Sequence, residues 1–401
     1  MSVMTVRENL LLVRYGEITL KSREVRSRME AKLVRNIKVQ LNLRKIYDYV
    51  IRKESGRIFI YSDEVDACSE VLRKVFGVVS FSPAIEVERD LSTIREAVLE
   101  VAENILREGM SFSIRARRSD KTIEYSSKQL EEILGADVLE NISGVKVDLD
   151  NPDKTIYIEV REEHAYIFHE VVAGPGGLPY GVEGKVIGLL SGGIDSTVAA
   201  WMVMKRGCSL VPVHFDLSPF YGEDAKERAL LVLKWLREWI PERRWRAYTV
   251  PLGEVHKNID ITPRYRCLLC KLLMLKVGEK IAERERGKAL VTGESLGQVA
   301  TQTLDNLYFL TTRVNIPVFR PVLAFDKNEI ADYARRIGVA EIADRKVEAC
   351  ALSPKKRGYR VVTHASEKTI YAVKKALEES AYESLEKAVE YLVSKAKVFS
   401  L

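Results

Sequence analysis

The sequence predicts an α/β protein in which α+β units precede a doubly wound parallel-sheet domain. Three observations predict it. The apolar run Val186 to Leu190 breaks at once into Ser191-Gly192-Gly193, and an amphipathic helical pattern opens behind it. That order belongs to a buried parallel strand feeding a helix. Strand-like and helix-like segments then alternate as far as Ile337, as a parallel sheet with crossover helices requires. Upstream, strand, helix, strand, helix over about 1–83 reads as a small α+β unit.

In chain order, 10–15 is the first expected strand. Met29, Leu33, Ile37 and Leu41 recur at steps of four and predict a helix over 23–43. Its other positions hold Lys21, Arg26, Arg28, Lys32, Arg35 and Lys38, either a polyanion-facing stripe or a solvated face. A strand over 57–61 and a helix over 68–76 complete this unit. A second begins near Pro83, with a helix over 91–107, then Ser111 to Arg118 alternating like a half-exposed strand. A helix over 126–134 and strands over 146–149, 155–160 and 165–172 follow. The glycine- and proline-rich run Ala173 to Gly181 reads as a linker. Beyond it, strands over 186–190, 210–215, 245–251 and 289–292 alternate with helices over 194–205, 225–239, 267–284, 304–310 and 327–337. Residues 366–401 hold two amphipathic helices without assignable chemistry.

Ligands of doubly wound sheets sit beyond the carboxyl ends of the strands. Ser191-Gly192-Gly193, Asp216 and Gly293-Glu294 all fall at such ends. Glycines let backbone approach a ligand, and first-turn N–H groups with the helix dipole attract an anion. Ser191, Ser196 and Thr197 add hydroxyl donors to the same loop. An ordinary tight strand–helix turn is the plain alternative, but it does not call for donors, clearance and a carboxylate together.

Composition bounds the partners. The chain has 401 residues, 46% apolar and 30% charged, with net charge +6. Residues 1–85 carry 16 Lys/Arg against 10 Asp/Glu, residues 86–180 carry 11 against 20, and residues 181–401 carry 36 against 27. On the acidic middle third, Arg115, Arg117, Arg118 and Lys121 concentrate positive charge, which predicts a focused RNA contact. No apolar run approaches membrane-spanning length and the start lacks a signal-peptide layout, so a cytoplasmic protein is expected. Five cysteines (Cys68, Cys208, Cys267, Cys270, Cys350) are too few for a disulfide scaffold.

Ser191-Gly-Gly-Ile-Asp-Ser196 resembles the PP-loop of ATP pyrophosphatases. Tyr15-Gly-Glu-Ile-Thr-Leu-Lys21, Arg115-Ala-Arg-Arg-Ser-Asp-Lys121, Gly176-Gly-Leu-Pro179, Pro212-Val-His-Phe215 and Leu290-Val-Thr-Gly-Glu-Ser-Leu-Gly-Gln298 resemble, in the same order, the tRNA 4-thiouridine synthetase (ThiI) family. The resemblance implies a ferredoxin-like domain over 1–83, a THUMP domain over 84–175 and a PP-loop domain over 176–365. Residues 366–401 would be a helical extension. It further implies a homodimer that adenylates uridine 8 of tRNA with ATP and Mg²⁺ and replaces O4 with sulfur. ATP contacts would come from Leu190, Ser191, Gly192, Gly193, Asp195, Ser196 and Thr197. Others would come from His214, Phe215, Lys271, Gly293 and Gln298, although a tRNA-reading role for Lys271 stays open. Asp195 would hold Mg²⁺ or assist adenylation. Other readings are a PP-loop enzyme acting on another tRNA base or a small carbonyl, and a non-catalytic tRNA-binding protein.

Cys350, in Glu348-Ala-Cys-Ala-Leu-Ser-Pro354, falls where the family places its sulfur-handling cysteine. Members with a C-terminal rhodanese domain resolve a persulfide there through a disulfide. About 50 residues follow Cys350 here, without that domain or another cysteine, and Cys267-Leu-Leu-Cys270 is added instead. An i,i+3 pair shares one helix face. The set is one ligand short of Cys₄ zinc. Three thiolates could hold a [4Fe–4S] cluster with an open iron for sulfide, an arrangement that resembles some rhodanese-lacking archaeal relatives and other tRNA thiolases. A Cys350 persulfide resolved by Cys267 or Cys270, and plain packing, are the alternatives. The sulfur donor would be sulfide or a persulfide carrier.

Overall fold

A computed structural model describes residues 9–54, 56–119 and 123–401. They divide into two compact units, one ending at Gly177 and one beginning at Leu178.

The first unit contains β1 (Leu10–Tyr15), α1 (Arg23–Leu43), β2 (Val50–Glu54), β3 (Arg57–Tyr61), α2 (Val65–Leu72) and β4 (Val78–Glu88). It continues with α3 (Leu91–Ile105), β5 (Ser111–Arg118), α4 (Ser127–Asn141), β6 (Lys146–Val147), β7 (Lys154–Val160), β8 (His164–Phe168) and β9 (Val172–Ala173). Its strands form one sheet in the order β2-β3-β1-β4-β8-β7-β5-β6, with β9 on β4. The step-of-four residues of α1 are all buried, while Arg28, Arg35 and Lys38 are exposed. β2 is absent from the expected pattern because it is a mostly exposed edge strand with no apolar alternation.

β4 is the long element of this unit. It pairs with β1 from Val78 to Ala84 and with β8 from Ile85 to Glu88. The expected boundary at 83/84 therefore lies inside a strand. Asp90 caps α3 by accepting from the Thr93 amide at 2.9 Å, and Ser126 with Gln129 forms a capping box on α4. α3 and α4 bury Ile94, Val98, Leu130 and Leu134 against Phe112, Ile114, Ile156 and Ile158 of the sheet.

The second unit contains β10 (Lys185–Leu190), α5 (Ile194–Lys205), β11 (Ser209–Phe215), α6 (Glu223–Arg237), β12 (Arg246–Val250), α7 (Leu252–Lys257) and α8 (Pro263–Glu285). It ends with β13 (Ala289–Val291), α9 (Leu304–Thr311), β14 (Val318–Phe319), α10 (Lys327–Ile337), α11 (Ala340–Ala343), α12 (Glu367–Glu378), α13 (Leu385–Lys395) and β15 (Lys397–Ser400). The sheet order is β14-β13-β10-β11-β12-β15, parallel except for β15, which runs antiparallel to β12. The order reverses between β10 and β13. This is the switch point at which a doubly wound sheet opens a crevice.

α8, α12 and α13 share a core with Ile187, Val211, Val213 and Leu290. Trp201, Trp235, Trp239 and Tyr333 pack as an aromatic group among α5, α6 and α10. Segment 366–401 thus belongs to this core and supplies an unexpected edge strand. The 173–181 run is also less free than its composition implies. Gly176 exchanges backbone bonds with Gly77 and Val78, and the Leu210 amide donates to the Tyr180 hydroxyl at 2.9 Å. Among the described residues, no helix is long and apolar enough to cross a membrane.

Candidate active site of the second unit

The loop after β10 closes on itself before it meets any ligand. The Ser191 amide donates to Ser196 Oγ at 3.2 Å, and the two serine hydroxyls lie 3.0 Å apart. Thr197 Oγ1 donates to the Gly193 carbonyl at 2.9 Å, and Thr197 is fully buried. Thr197 therefore braces the turn, whereas Ser191 and Ser196 face the crevice. Gly192 has φ +76° and lies against α6, where a Cβ would come within 2.8 Å of Ala229 Cα. Only glycine serves both demands. Gly193 precedes α5 without a side-chain cap, so the first-turn N–H groups stay available to an anion.

Gly293 explains how tightly the crevice is built. A Cβ there would stand 2.3 Å from the Ser196 nitrogen, so the end of β13 touches the first turn of α5 backbone to backbone.

Two cavities flank the loop. One of about 310 Å³ is lined by Leu189, Leu190, Ser191, His214, Phe215, Asp216, Leu217, Tyr221, Lys226, Arg228 and Met274, among others. His214 Nδ1 lies 3.1 Å from the Leu190 carbonyl. Burial pushes its pKa down, which keeps the imidazole neutral at pH 7. Burial works to raise the Asp216 carboxyl, but the Ser218 amide and Lys226 hold it below its ordinary range. The apolar lining with basic Lys226 and Arg228 at one side suits a nucleoside that carries phosphates.

The other cavity, about 220 Å³, lies at the switch point and includes Asp195, Ser196, Lys271, Gly293, Glu294 and Gln302 in its lining. Leu189, Ser191 and Met274 border both cavities. Glu294 accepts from Lys271 Nζ at 2.8 Å and from Arg320 Nε at 2.7 Å, and Thr292 Oγ1 donates to it at 3.2 Å. Burial opposes the Glu294 charge, yet these two cations keep its carboxyl below the usual range. Burial raises the Asp195 carboxyl, and Lys327 at the start of α10 is the cation that opposes the rise. Mg²⁺ needs one or two carboxylates plus phosphate oxygens and water. Asp195 beside the anion loop fits that requirement.

Cys267, Cys270 and Cys350 gather near the first cavity. Cys267 and Cys270 stand on α8, and each thiol is raised first by burial, with Cys350 adding to the rise. Tyr221 of the cavity wall is raised by burial and then by Cys350, so Cys350 lies within electrostatic reach of that wall. Hydrogen bonds tie the Cys350 loop to the α6 side. The Glu348 amide donates to Asp224 Oδ2 and the Ala351 amide to the Phe220 carbonyl, both at 2.8 Å, while Arg228 donates to the Arg345 carbonyl at 2.9 Å. Among the described residues, no three Cys, His, Asp or Glu side chains converge on a metal position. Cys267, Cys270 and Cys350, the expected [4Fe–4S] ligand set, share one neighbourhood.

The structure therefore brings together most of the residues expected from sequence. Leu190, Ser191, His214 and Phe215 line one cavity, and Asp195, Ser196, Lys271 and Gly293 line the other. Gln298 lines neither, and its neighbour Gln302 does. Lys327, Arg320, Gln302 and Tyr221 were missed. A strand-end rule applied to the β14–α10 junction finds Lys327, because Asp326-Lys327 opens a helix there as Asp195 does after β10.

In the first unit, Arg115 and Arg117 are exposed on β5, and neither has a carboxylate partner among the described residues. Arg115 donates to the Leu149 carbonyl, and Arg118 to the Ile123 carbonyl at 3.1 Å. Lys121 lies outside the described residues.

Family models match in three stretches: ThiI ferredoxin-like domain over 10–82, THUMP domain over 88–170, and Thiamine biosynthesis protein (ThiI) over 181–378. A probable tRNA sulfurtransferase of Methanothermobacter thermautotrophicus is 39% identical over 358 residues, 88% of this chain and 90% of that one. The chain belongs to the tRNA sulfurtransferase family. Another member, from Caldanaerobacter subterraneus subsp. tengcongensis, is 40% identical over 347 residues, covering 86% of this chain and 89% of its own. A crystal structure of a 4-thiouridine synthetase–RNA complex with bound ATP superposes with a TM-score of 0.86 at 31% identity. That match covers 98% of this chain and 99% of the other. Family membership thus agrees with the ferredoxin-like, THUMP and PP-loop architecture expected from the motifs.

Proposed function

We propose that this sulfurtransferase adenylates uridine 8 of tRNA with ATP and then replaces O4 with sulfur to give 4-thiouridine. The observation that carries the reading is the pair of cavities meeting at Ser191, with an uncapped helix start between them and three thiols beside one wall.

Uridine O4 is a poor leaving group, so sulfur cannot displace it directly. Attack of O4 on the α-phosphorus of ATP forms a base–O–AMP linkage and expels pyrophosphate. The Gly192-Gly193 turn and the α5 amides suit the charge of the departing pyrophosphate. Asp195 would hold Mg²⁺ here, and the ion, when bound, neutralises phosphate oxygens that the carboxylate would otherwise repel. Lys327 offers further positive charge on the Asp195 side.

In the second step a sulfur nucleophile adds to C4 and AMP leaves with the former O4. Cys350 would handle that sulfur, supplied as sulfide or by a persulfide carrier, with Cys267 and Cys270 alongside. Arg115, Arg117, Arg118 and Lys121 would contact the tRNA, and the enzyme would act in the cytoplasm as a homodimer. Incubating tRNA with ATP and sulfide under anaerobic conditions tests the reading: 4-thiouridine must appear in nucleoside digests, and it must vanish for Asp195→Ala.

A further inference from the structure

We propose that the 220 Å³ cavity at the β10/β13 switch point is the seat of the acceptor base, and that Gln302 reads the base's pairing edge. The inference rests on the thiolation reading above and adds the residue that recognises the uracil.

Size separates the two cavities. A six-membered aromatic ring fits an apolar cavity of about 150 Å³. The smaller cavity therefore takes one pyrimidine but not a nucleoside triphosphate, while the larger one, walled by Leu190, Phe215 and Leu217, takes the adenosine. Because both reach Ser191, a base in one and ATP in the other meet at the anion loop. In-line attack of O4 on the α-phosphorus then sends the pyrophosphate away from the base, toward the Gly192-Gly193 turn and the α5 amides.

Gln302 marks the base side. It is 8% exposed, and its Oε1 is buried without a hydrogen-bond partner among the described residues. Nearly all buried polar atoms in folded proteins are partnered, so a lone carboxamide oxygen at a cavity wall points to a ligand donor. Its backbone is fixed, since the Gln302 amide donates to the Val299 carbonyl and the Gly297 amide donates to the Gln302 carbonyl, both at 2.8 Å. Glu294 is committed to Lys271, Arg320 and Thr292, and Ser196 to Ser191, so Gln302 and Asp195 are the wall groups left to meet a ligand.

Enzymes that act on an extruded base read its Watson–Crick edge in a pocket of this kind. Gln302 Oε1 accepts the uracil N3–H while Nε2 donates to O2, which leaves O4 free to attack. Adenylation at O4 releases the N3 proton to solvent water and leaves N3 as an acceptor. A carboxamide can then turn its amide end toward the bare N3, and a carboxylate cannot. This predicts that both Gln302→Leu and Gln302→Glu lose activity, each by about 10- to 100-fold in the thiolation rate, the cost of an unmatched buried hydrogen bond. ATP and tRNA affinities stay within about twofold, because each ligand has a large surface of contact elsewhere.

The test uses the full chain and tRNA that already carries 4-thiouridine at position 8, a base that crosslinks to its neighbours under near-ultraviolet light. The proposal expects the crosslink in the tryptic peptide spanning 289–313, at yields reduced at least tenfold in Gln302→Leu at saturating tRNA. An active wild-type enzyme whose crosslink falls only in 207–226 or in the first unit overturns the pocket, as does Gln302→Leu with wild-type thiolation. A wild-type enzyme that makes no 4-thiouridine overturns the thiolation reading instead, and the pocket with it.

Discussion

Gly293 and Ser196 touch through their backbones, leaving no room for a side chain: a Cβ on Gly293 would stand 2.3 Å from the Ser196 nitrogen. The contact joins the end of β13 to the first turn of α5, and it sets the width of the crevice in which ATP would react.

Gly293→Ala is therefore expected to push α5 away from β13 and disorder the anion loop. Backbone cannot yield as a flexible side chain does, so a cost of about 2–4 kcal/mol is expected. Titration calorimetry should show ATP affinity reduced at least tenfold, with the first unit still folded. Affinity equal to wild type would mean that the loop tolerates the shift.

Cys350→Ser should separate the two half-reactions. Tyr221 links the thiol to the wall of the larger cavity, but no phosphate-binding group depends on Cys350. tRNA-dependent release of pyrophosphate should persist within about threefold, while 4-thiouridine falls below detection. Cys208→Ser should change neither, because Cys208 is buried just after α5 and lines neither cavity of the site.

How much of this was legible in advance differs by element. The Val186 to Leu190 strand and its glycine loop announce themselves because a buried parallel strand is continuously apolar and the turn needs glycine at φ +76°. The exposed edge strand β2 and the terminal strand β15 carry no such signal. Among site residues, Asp195 and Lys271 were readable from motifs. Lys327 and Arg320 come from strand ends that only the sheet order brings to the crevice. Gln298, expected from family position, lines neither cavity, whereas Gln302 of the same loop lines the smaller one, a placement set by the backbone bonds of loop 295–302.

His256 should make the second unit sensitive to acid. It is 2% exposed, neither ring nitrogen has a hydrogen-bond partner among the described residues, and burial, then Arg266, lowers its pKa to about 4. The unfolded chain binds the proton more readily, with a pKa of about 6.5. Stability from the neutral ring is fully present above about pH 6.5 and is lost as pH falls toward 4, on the order of 3 kcal/mol in all. Chemical denaturation across that range should show the slope, and His256→Phe should flatten it. A slope unchanged by the substitution would assign it to other groups.

Arg115 and Arg117 should act through phosphates. Removing both should reduce the slope of log affinity for tRNA against log salt by about two, roughly one for each lost contact. Filter binding at several ionic strengths would show it. A slope equal to wild type would place the RNA elsewhere on the first unit.

The most direct test of the central claim is nucleoside mass spectrometry of tRNA after anaerobic reaction with ATP and sulfide. The account predicts 4-thiouridine at position 8 with wild-type protein, one AMP and one pyrophosphate released per thiolated base, and none of the three with Asp195→Ala. Thiolation without AMP release, or equal thiolation by Asp195→Ala, would contradict it.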